Sequence, residues 1–225
     1  MSTEPSSKGP SKETGPVADA VPWDHVTLPK LWLLRHGETE WSRSGRYTGL
    51  TDLPLTEHGE EQALSARPAL AGVDFDLVLS SPSQRARRTA ELAGFSAAIV
   101  EPLAHEWDYG DYEGVDSAEV RRSRPGYLIW QDGVPGGETI EQVAARADAV
   151  IARVLSPQPA EPEGPAAGRV VNQALLVAHG HFLRVLTARW LDLPATEGRH
   201  FVLGTAKVCT LGWDKRTPAV EQWGL

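Results

Sequence analysis

A single cysteine, Cys209, stands in the 225 residues, so no internal disulfide can form and the fold cannot depend on one. That scarcity fits a reducing compartment. Long apolar runs are missing too. No window reaches the roughly 20 residues needed to span a bilayer, and the opening MSTEPSSKGPSKETGPVADA holds no apolar stretch of the kind a signal peptide uses. The expectation is a soluble, cytoplasmic protein with no membrane partner. Positive charge is also in deficit. With 22 basic against 30 acidic residues and a formal net charge of −8, the surface lacks the basic face that a phosphate backbone requires, which argues against nucleic acid as a partner. An anionic small molecule would have to meet arginines concentrated locally.

What is present is enough apolar material, 41% of residues, for one good core. Residues 1–27 are rich in Ser, Pro, Glu, Lys and Gly, cannot offset their ordering entropy, and are expected to be a disordered tail. The stretch SPQPAEPEGPAAG at 156–168, with four prolines and two glycines, is expected to be a surface loop within one domain over 28–225. Between them, short apolar runs alternate with stretches of helical period: Leu31–Leu34, 57–71, Leu77–Leu79, 84–94, then 138–155, Ala174–Ala178 and 181–192. Strands that are apolar throughout, rather than at alternate positions, belong to a sheet covered on both faces. The fold class expected is α/β, a three-layer α/β/α sandwich with a mostly parallel sheet. Lys207–Trp213 and Ala219–Trp223, separated by DKRTP, predict a terminal hairpin at one sheet edge.

In such sheets ligands bind beyond the carboxyl ends of the strands. Three runs end informatively. LWLL is followed by Arg35, His36 and Gly37, the glycine permitting close backbone approach; LVLSSPSQ is followed by Arg85; LLVA is followed by His179, Gly180 and His181. A guanidinium is always charged and offers a planar fork of donors, so Arg35 and Arg85 suit the non-bridging oxygens of a phosphoryl group. A neutral imidazole can attack phosphorus. Each piece alone is weak, and the combination carries the inference.

LLRHGETEW, SSPSQRARRTA and LLVAHGH, in this order, resemble the histidine phosphatase (phosphoglycerate mutase-like) superfamily, from about Leu31 to Trp213. The resemblance implies a phosphoglycerate mutase-like fold, with His36 as a transiently phosphorylated nucleophile and Arg35, Arg85 and His179 lining the phosphate pocket. It further implies that Glu106, in HEWDYGDYEG, is the proton donor that an alkoxide leaving group needs; Asp108, Asp111 and Glu113 are rivals better read as a solvated loop. No metal and no cofactor are expected, since arginines supply the charge that Mg²⁺ supplies elsewhere. Only Val115 to Glu138 separates the acid region from the later helix, shorter than in the mutases of the superfamily. This favours a phosphatase, with phosphoglycerate mutase-type transfer as the alternative. YTGLTDLPLT, EWDYGDYEG and IWQDG are similar to the sedoheptulose-1,7-bisphosphatase-like branch, which implies a small phosphorylated metabolite, a sugar phosphate or bisphosphate. By the same comparison Ser42, Tyr47, Thr48, Gly49, Tyr109, Glu138, Thr139 and His181 border the substrate, beside Gly37 and Gly180.

Arg121, Arg122 and Arg124 form a basic cluster suited either to a distal phosphate or to a solvated face. Among the eight tryptophans, Trp32, Trp130 and Trp190 are expected in the core, and Trp41 and Trp107 along the pocket. His25, His58, His105 and His200 lack motif neighbours and receive no role. Two other readings compete: a metal-dependent hydrolase using His36, His179 and His181, against which Arg35 beside the site argues, and a domain that binds phosphorylated ligands without turnover. Oligomeric state, including a homo-oligomer, is left open by the sequence.

Overall fold

The computed structural model describes residues 28–156 and 170–225. Along the chain come β1 (Lys30–Arg35), α1 (Glu40–Ser44), α2 (Glu57–Ser65), α3 (Arg67–Leu70), β2 (Leu77–Ser80), α4 (Gln84–Leu92), β3 (Ile99–Val100), α5 (Ser117–Ser123) and α6 (Ile129–Asp132). There follow α7 (Ile140–Leu155), β4 (Gln173–Ala178), α8 (Gly180–Trp190), β5 (Val208–Asp214) and β6 (Thr217–Trp223). The tail expected over 1–27, and all but Ser156 of the loop expected at 156–168, lie outside the described residues.

The strands form one six-stranded sheet in the order β3-β2-β4-β1-β5-β6. β3, β2, β4 and β1 run parallel to one another, while β5 pairs antiparallel with β1 and β6 antiparallel with β5. The sheet is mostly parallel with a terminal hairpin, as the apolar runs suggest. Pro218 has no N–H to donate and sits where an edge strand tolerates it.

Both faces are buried, which explains why β1 and β4 carry no polar alternation. On one face Leu31 and Leu33 of β1 and Ala174, Leu176 and Ala178 of β4 pack with α7 and α8 through Val143, Ala147, Val150, Phe182 and Leu186. On the other, Leu34, Leu175 and Val177 pack against Leu70 of α3 and Ala86, Ala90 and Ala93 in and just after α4. Each fully buried leucine contributes about 2 kcal/mol of transfer free energy. Trp130 and Trp190 are buried as expected. Trp32 is only half-buried, its indole nitrogen donating to Gln173 Oε1 at 2.8 Å.

Capping chemistry sets the remaining helix boundaries. The helical stretch expected over 57–71 divides, because Pro68 near the start of α3 cannot continue the hydrogen-bond ladder of α2. α1 and α7 each open on a capping box, Thr39 with Ser42 and Thr139 with Gln142. The short elements α1, α5, α6 and β3 have no counterpart in the apolar periodicity.

Candidate active site

β1 and β4 are adjacent and in register, Arg35 opposite Ala178, so the residues that follow them emerge side by side. His36 N–H donates to Ala178 O at 3.0 Å. The His36 and His179 rings lie 5.1 Å apart, both buried. His36 Nδ1 donates to the Gly37 carbonyl at 2.7 Å, which fixes the tautomer and leaves the lone pair on Nε2. Burial, then Arg85 and Arg35, hold the His36 imidazole well below its ordinary value and hence neutral.

Arg85 sits in the first turn of α4, 1% exposed. Its guanidinium donates to Thr51 O (2.9 Å) and Gly49 O (2.9 Å). Those carbonyls are themselves held: both oxygens of Glu113 accept from Gly49 N–H, at 3.0 and 2.9 Å, and Oε1 also accepts from Thr51 N–H at 3.0 Å. Glu113, expected in a solvated loop, is therefore the anchor of the 49–51 segment that orients Arg85. Asp108 caps Gly110 N–H at 2.9 Å, and Asp111 is exposed.

Arg35 donates through Nη1 to Leu203 O at 2.6 Å. Burial lowers the pKa of both arginines, partly offset by Glu106, yet a guanidinium so basic stays charged. Nε of Arg35, Nε of Arg85 and Nδ1 of His179 are buried without a hydrogen-bond partner. Such atoms are costly unless a ligand pairs with them. His179 Nε2 lies 2.7 Å from Ser81 Oγ, and burial followed by Arg85 keeps this ring neutral as well.

Glycines allow the close approaches. A Cβ on Gly180 would stand 3.2 Å from Arg35 Cζ, and one on Gly37 would stand 2.2 Å from Gly59 O. Gly37 thus packs the loop after β1 onto the start of α2, and its N–H donates to Thr89 Oγ1 of α4 at 3.0 Å.

Glu106 is 5% exposed. Its Oε1 accepts from Trp107 N–H (2.9 Å) and Phe182 N–H (2.8 Å), and its Oε2 from His181 N–H (3.0 Å). The last two are orphan donors at the N-terminus of α8, where a carboxyl group is favoured. Glu106 borders two hollows. One, about 340 Å³, is lined by Arg35, His36, Ser42, Tyr47, Thr48, Tyr109, Gly180 and His181 among others. The other, about 220 Å³, is lined by Gly49, Arg85, His105 and His179 with further loop residues.

Several expected contacts lie elsewhere. Glu138 pairs with Arg146, Nη2 to Oε2 at 2.7 Å, and Thr139 caps α7 on the surface; neither lines these two hollows. Ser42 reaches the rim, but its hydroxyl is engaged with Thr39 in the α1 cap. Of the arginine cluster only Arg121 lines the cleft; Arg124 donates to Tyr112 Oη at 2.9 Å and Arg122 is exposed. Trp107 is fully buried and, like Trp41, does not wall the cleft, whereas Trp130, expected only as core, does. His105, given no role, borders the smaller hollow. His58 and His200 are exposed, and His25 lies outside the described residues. Among the described residues no group of three or more His, Cys, Asp or Glu side chains is arranged to hold a metal ion. Ser81 and Thr89 stand inside the SSPSQRARRTA motif and Glu113 inside HEWDYGDYEG without their parts at the site being foreseen, and Arg46 and Arg184 carry no sequence signal for theirs.

The chain from residue 31 to 225 matches the histidine phosphatase superfamily (branch 1). An acid phosphatase of Mycobacterium tuberculosis is 40% identical over 198 residues, covering 87% of this chain and 92% of that protein. A sedoheptulose 1,7-bisphosphatase of Saccharomyces cerevisiae is 36% identical over 189 residues, covering 73% and 68%. A solved Mycobacterium tuberculosis structure superposes with a TM-score of 0.78 at 39% identity, over 88% of this chain and 97% of that one. This chain belongs to the histidine phosphatase superfamily and is a phosphatase of that superfamily. No helix among the described residues is long and apolar enough to cross a membrane.

Proposed function

We propose that this protein hydrolyses a phosphate monoester of a small sugar, without a metal, through a phosphohistidine formed at Nε2 of His36. The observation that carries the reading is the His36 tautomer. A neutral ring whose Nδ1–H is tied to Gly37 O offers Nε2 as nucleophile, beside the buried Arg85, the half-buried Arg35 and a second neutral histidine, each with a polar atom unpaired among the described residues. Nε2 attacks phosphorus in line, and the bond to the sugar oxygen breaks as Glu106 delivers a proton to it. Arg35 and Arg85 hold the equatorial oxygens. Ser81 donates to His179 Nε2, leaving Nδ1–H as a further donor. Glu106 then takes a proton from water, whose oxygen attacks phosphohistidine and frees His36 and inorganic phosphate.

The larger hollow favours a second anionic group. Arg46, Arg121 and Arg184 line it, and Arg184 is stacked 4.6 Å over the Trp130 ring. On the same hollow, Tyr109 Oη lies 2.5 Å from His181 Nδ1. Burial keeps both rings neutral, raising Tyr109 and lowering His181 to about 3; in the tautomer in which Tyr109 donates, His181 carries its proton on Nε2, a donor for a sugar oxygen. A relative named sedoheptulose 1,7-bisphosphatase agrees with a sugar bisphosphate. We further place the enzyme in the cytoplasm, where the lone, buried Cys209 stays reduced.

The test is phosphate release with EDTA present, from sedoheptulose-1,7-bisphosphate, fructose-1,6-bisphosphate, sugar monophosphates, 3-phosphoglycerate and nucleoside monophosphates. Release that favours a sugar bisphosphate and vanishes in His36→Ala is expected. Isomerised phosphoglycerate without release, or turnover that survives His36→Ala, would overturn the reading.

A further inference from the structure

Arg146, on α7, touches neither hollow, yet its guanidinium is spent on Glu138 and on the segment that carries Glu106. Nη1 donates to Leu103 O at 2.7 Å and to His105 O at 3.0 Å, and Nη2 reaches Glu106 O at 3.5 Å. Nε and Nη2 pair with the two oxygens of Glu138 at 2.8 and 2.7 Å. Glu138 in turn grips the other flank: its Oε2 accepts from Asp108 N–H at 3.0 Å and its carbonyl from Trp107 Nε1 at 2.8 Å. The same guanidinium lies 5.0 Å over the Phe182 ring, and Phe182 N–H is one of the donors to the Glu106 carboxyl.

The pair therefore closes a frame around residues 103–108 and ties it to the start of α8. Segment 103–108 contains only the end of a three-residue 3₁₀ turn, Pro102–Ala104, and itself belongs to no strand or α-helix. The Arg146 and Glu138 side chains are 10% and 16% exposed, so the charge-assisted bonds are little screened. Burial opposes ionisation of Glu138, but the Arg146 bonds and the Asp108 N–H, with the nearby positive charge, together outweigh it and hold the carboxyl below its ordinary value.

We propose that the Arg146–Glu138 pair is a positioning device for the proton-donating carboxyl of Glu106. It thereby governs protonation of the leaving oxygen and leaves attack by His36 untouched. This inference rests on the acid role proposed above for Glu106. A proton donor displaced by about 1 Å loses on the order of a hundredfold in rate, but only when the leaving group needs the proton.

The experiment compares a sugar phosphate, whose alkoxide must be protonated, with p-nitrophenyl phosphate, whose phenolate leaves unaided. It uses the wild type, Arg146→Lys, Glu138→Gln and Glu106→Gln, with thermal unfolding as the folding control. Arg146→Lys keeps the charge but not the fork; Glu138→Gln keeps the shape. Because Glu106 also serves the later attack of water, which both esters share, the comparison is made in kcat/KM, which reports only steps up to phosphoenzyme formation. Both variants should lower kcat/KM for the sugar phosphate tenfold to a hundredfold, by about the spread expected for misplacement, and leave kcat/KM for p-nitrophenyl phosphate within about twofold. Equal loss of kcat/KM on both esters, or no loss on either, in variants that fold overturns the positioning role. If Glu106→Gln itself fails to discriminate the esters, the acid assignment falls, and the inference with it.

Discussion

Replacing His181 by glutamine should remove part of the protein's loss of stability in acid, and the size of the effect follows from where the ring sits. His181 is packed among Trp130, Trp107 and Tyr109, with ring centroids at 5.1, 6.2 and 5.8 Å. Burial, then Arg184 and Arg35, lower its pKa from 6.5 to about 3. As pH falls, the unfolded chain takes up this proton near 6.5 while the folded chain does not until about 3. The stability conferred by the neutral ring is thus fully present above 6.5 and is lost progressively on the way down to 3. For one such group the loss between pH 7.5 and 5.5 is on the order of 1 kcal/mol. His36 and His179, lowered well below 6.5 by burial and the arginines, act in the same direction and add to the loss. Urea unfolding of wild type and His181→Gln at pH 7.5 and 5.5 isolates one ring, because carboxylate contributions cancel in the difference. The wild type should lose on the order of 1 kcal/mol more than the variant over that interval. Parallel losses would refute the argument, for then His181 is not held neutral by its surroundings.

Two further outcomes follow from the same geometry. Gly37→Ala drives a Cβ to 2.2 Å from the main-chain oxygen of Gly59, where nothing flexible can yield; it should destabilise the fold by about 2–4 kcal/mol, seen as a lowered Tm, and an unchanged Tm would contradict the packing. Glu113→Gln removes the charge that holds Gly49 and Thr51 beneath Arg85. A charged hydrogen bond is worth about 1.5–3 kcal/mol, so kcat/KM should fall about tenfold or more with secondary structure intact by circular dichroism, and wild-type kinetics would show that Arg85 needs no such support.

The mouth of the candidate site was legible because parallel strands covered on both faces advertise themselves as unbroken apolar runs. The ends of Leu31–Leu34 and Ala174–Ala178 therefore locate Arg35, His36 and His179 directly. Arg85 follows the same logic one strand further out. The supports of these residues were not legible. Glu113 anchors a backbone 62 to 64 residues away, and Arg146 acts on carbonyls 40 to 43 residues away; neither spacing leaves a local pattern. Glu138, which the resemblance set beside the substrate, has its carboxyl engaged by Arg146. The short helices α1 and α5 depend on caps, Thr39 and Asp116, and span too few residues for a helical period to register. β3 has only two residues, both exposed.

The central claim is that the phosphoryl group passes through His36. Rapid mixing of enzyme with a turned-over sugar phosphate, quenching in base where phosphohistidine survives, and peptide mass spectrometry would locate the phosphate. The account predicts a phosphorylated His36 that appears before free phosphate accumulates and is absent from His36→Ala. Phosphate release without any phosphoenzyme, or a phosphate carried by another residue, would contradict it.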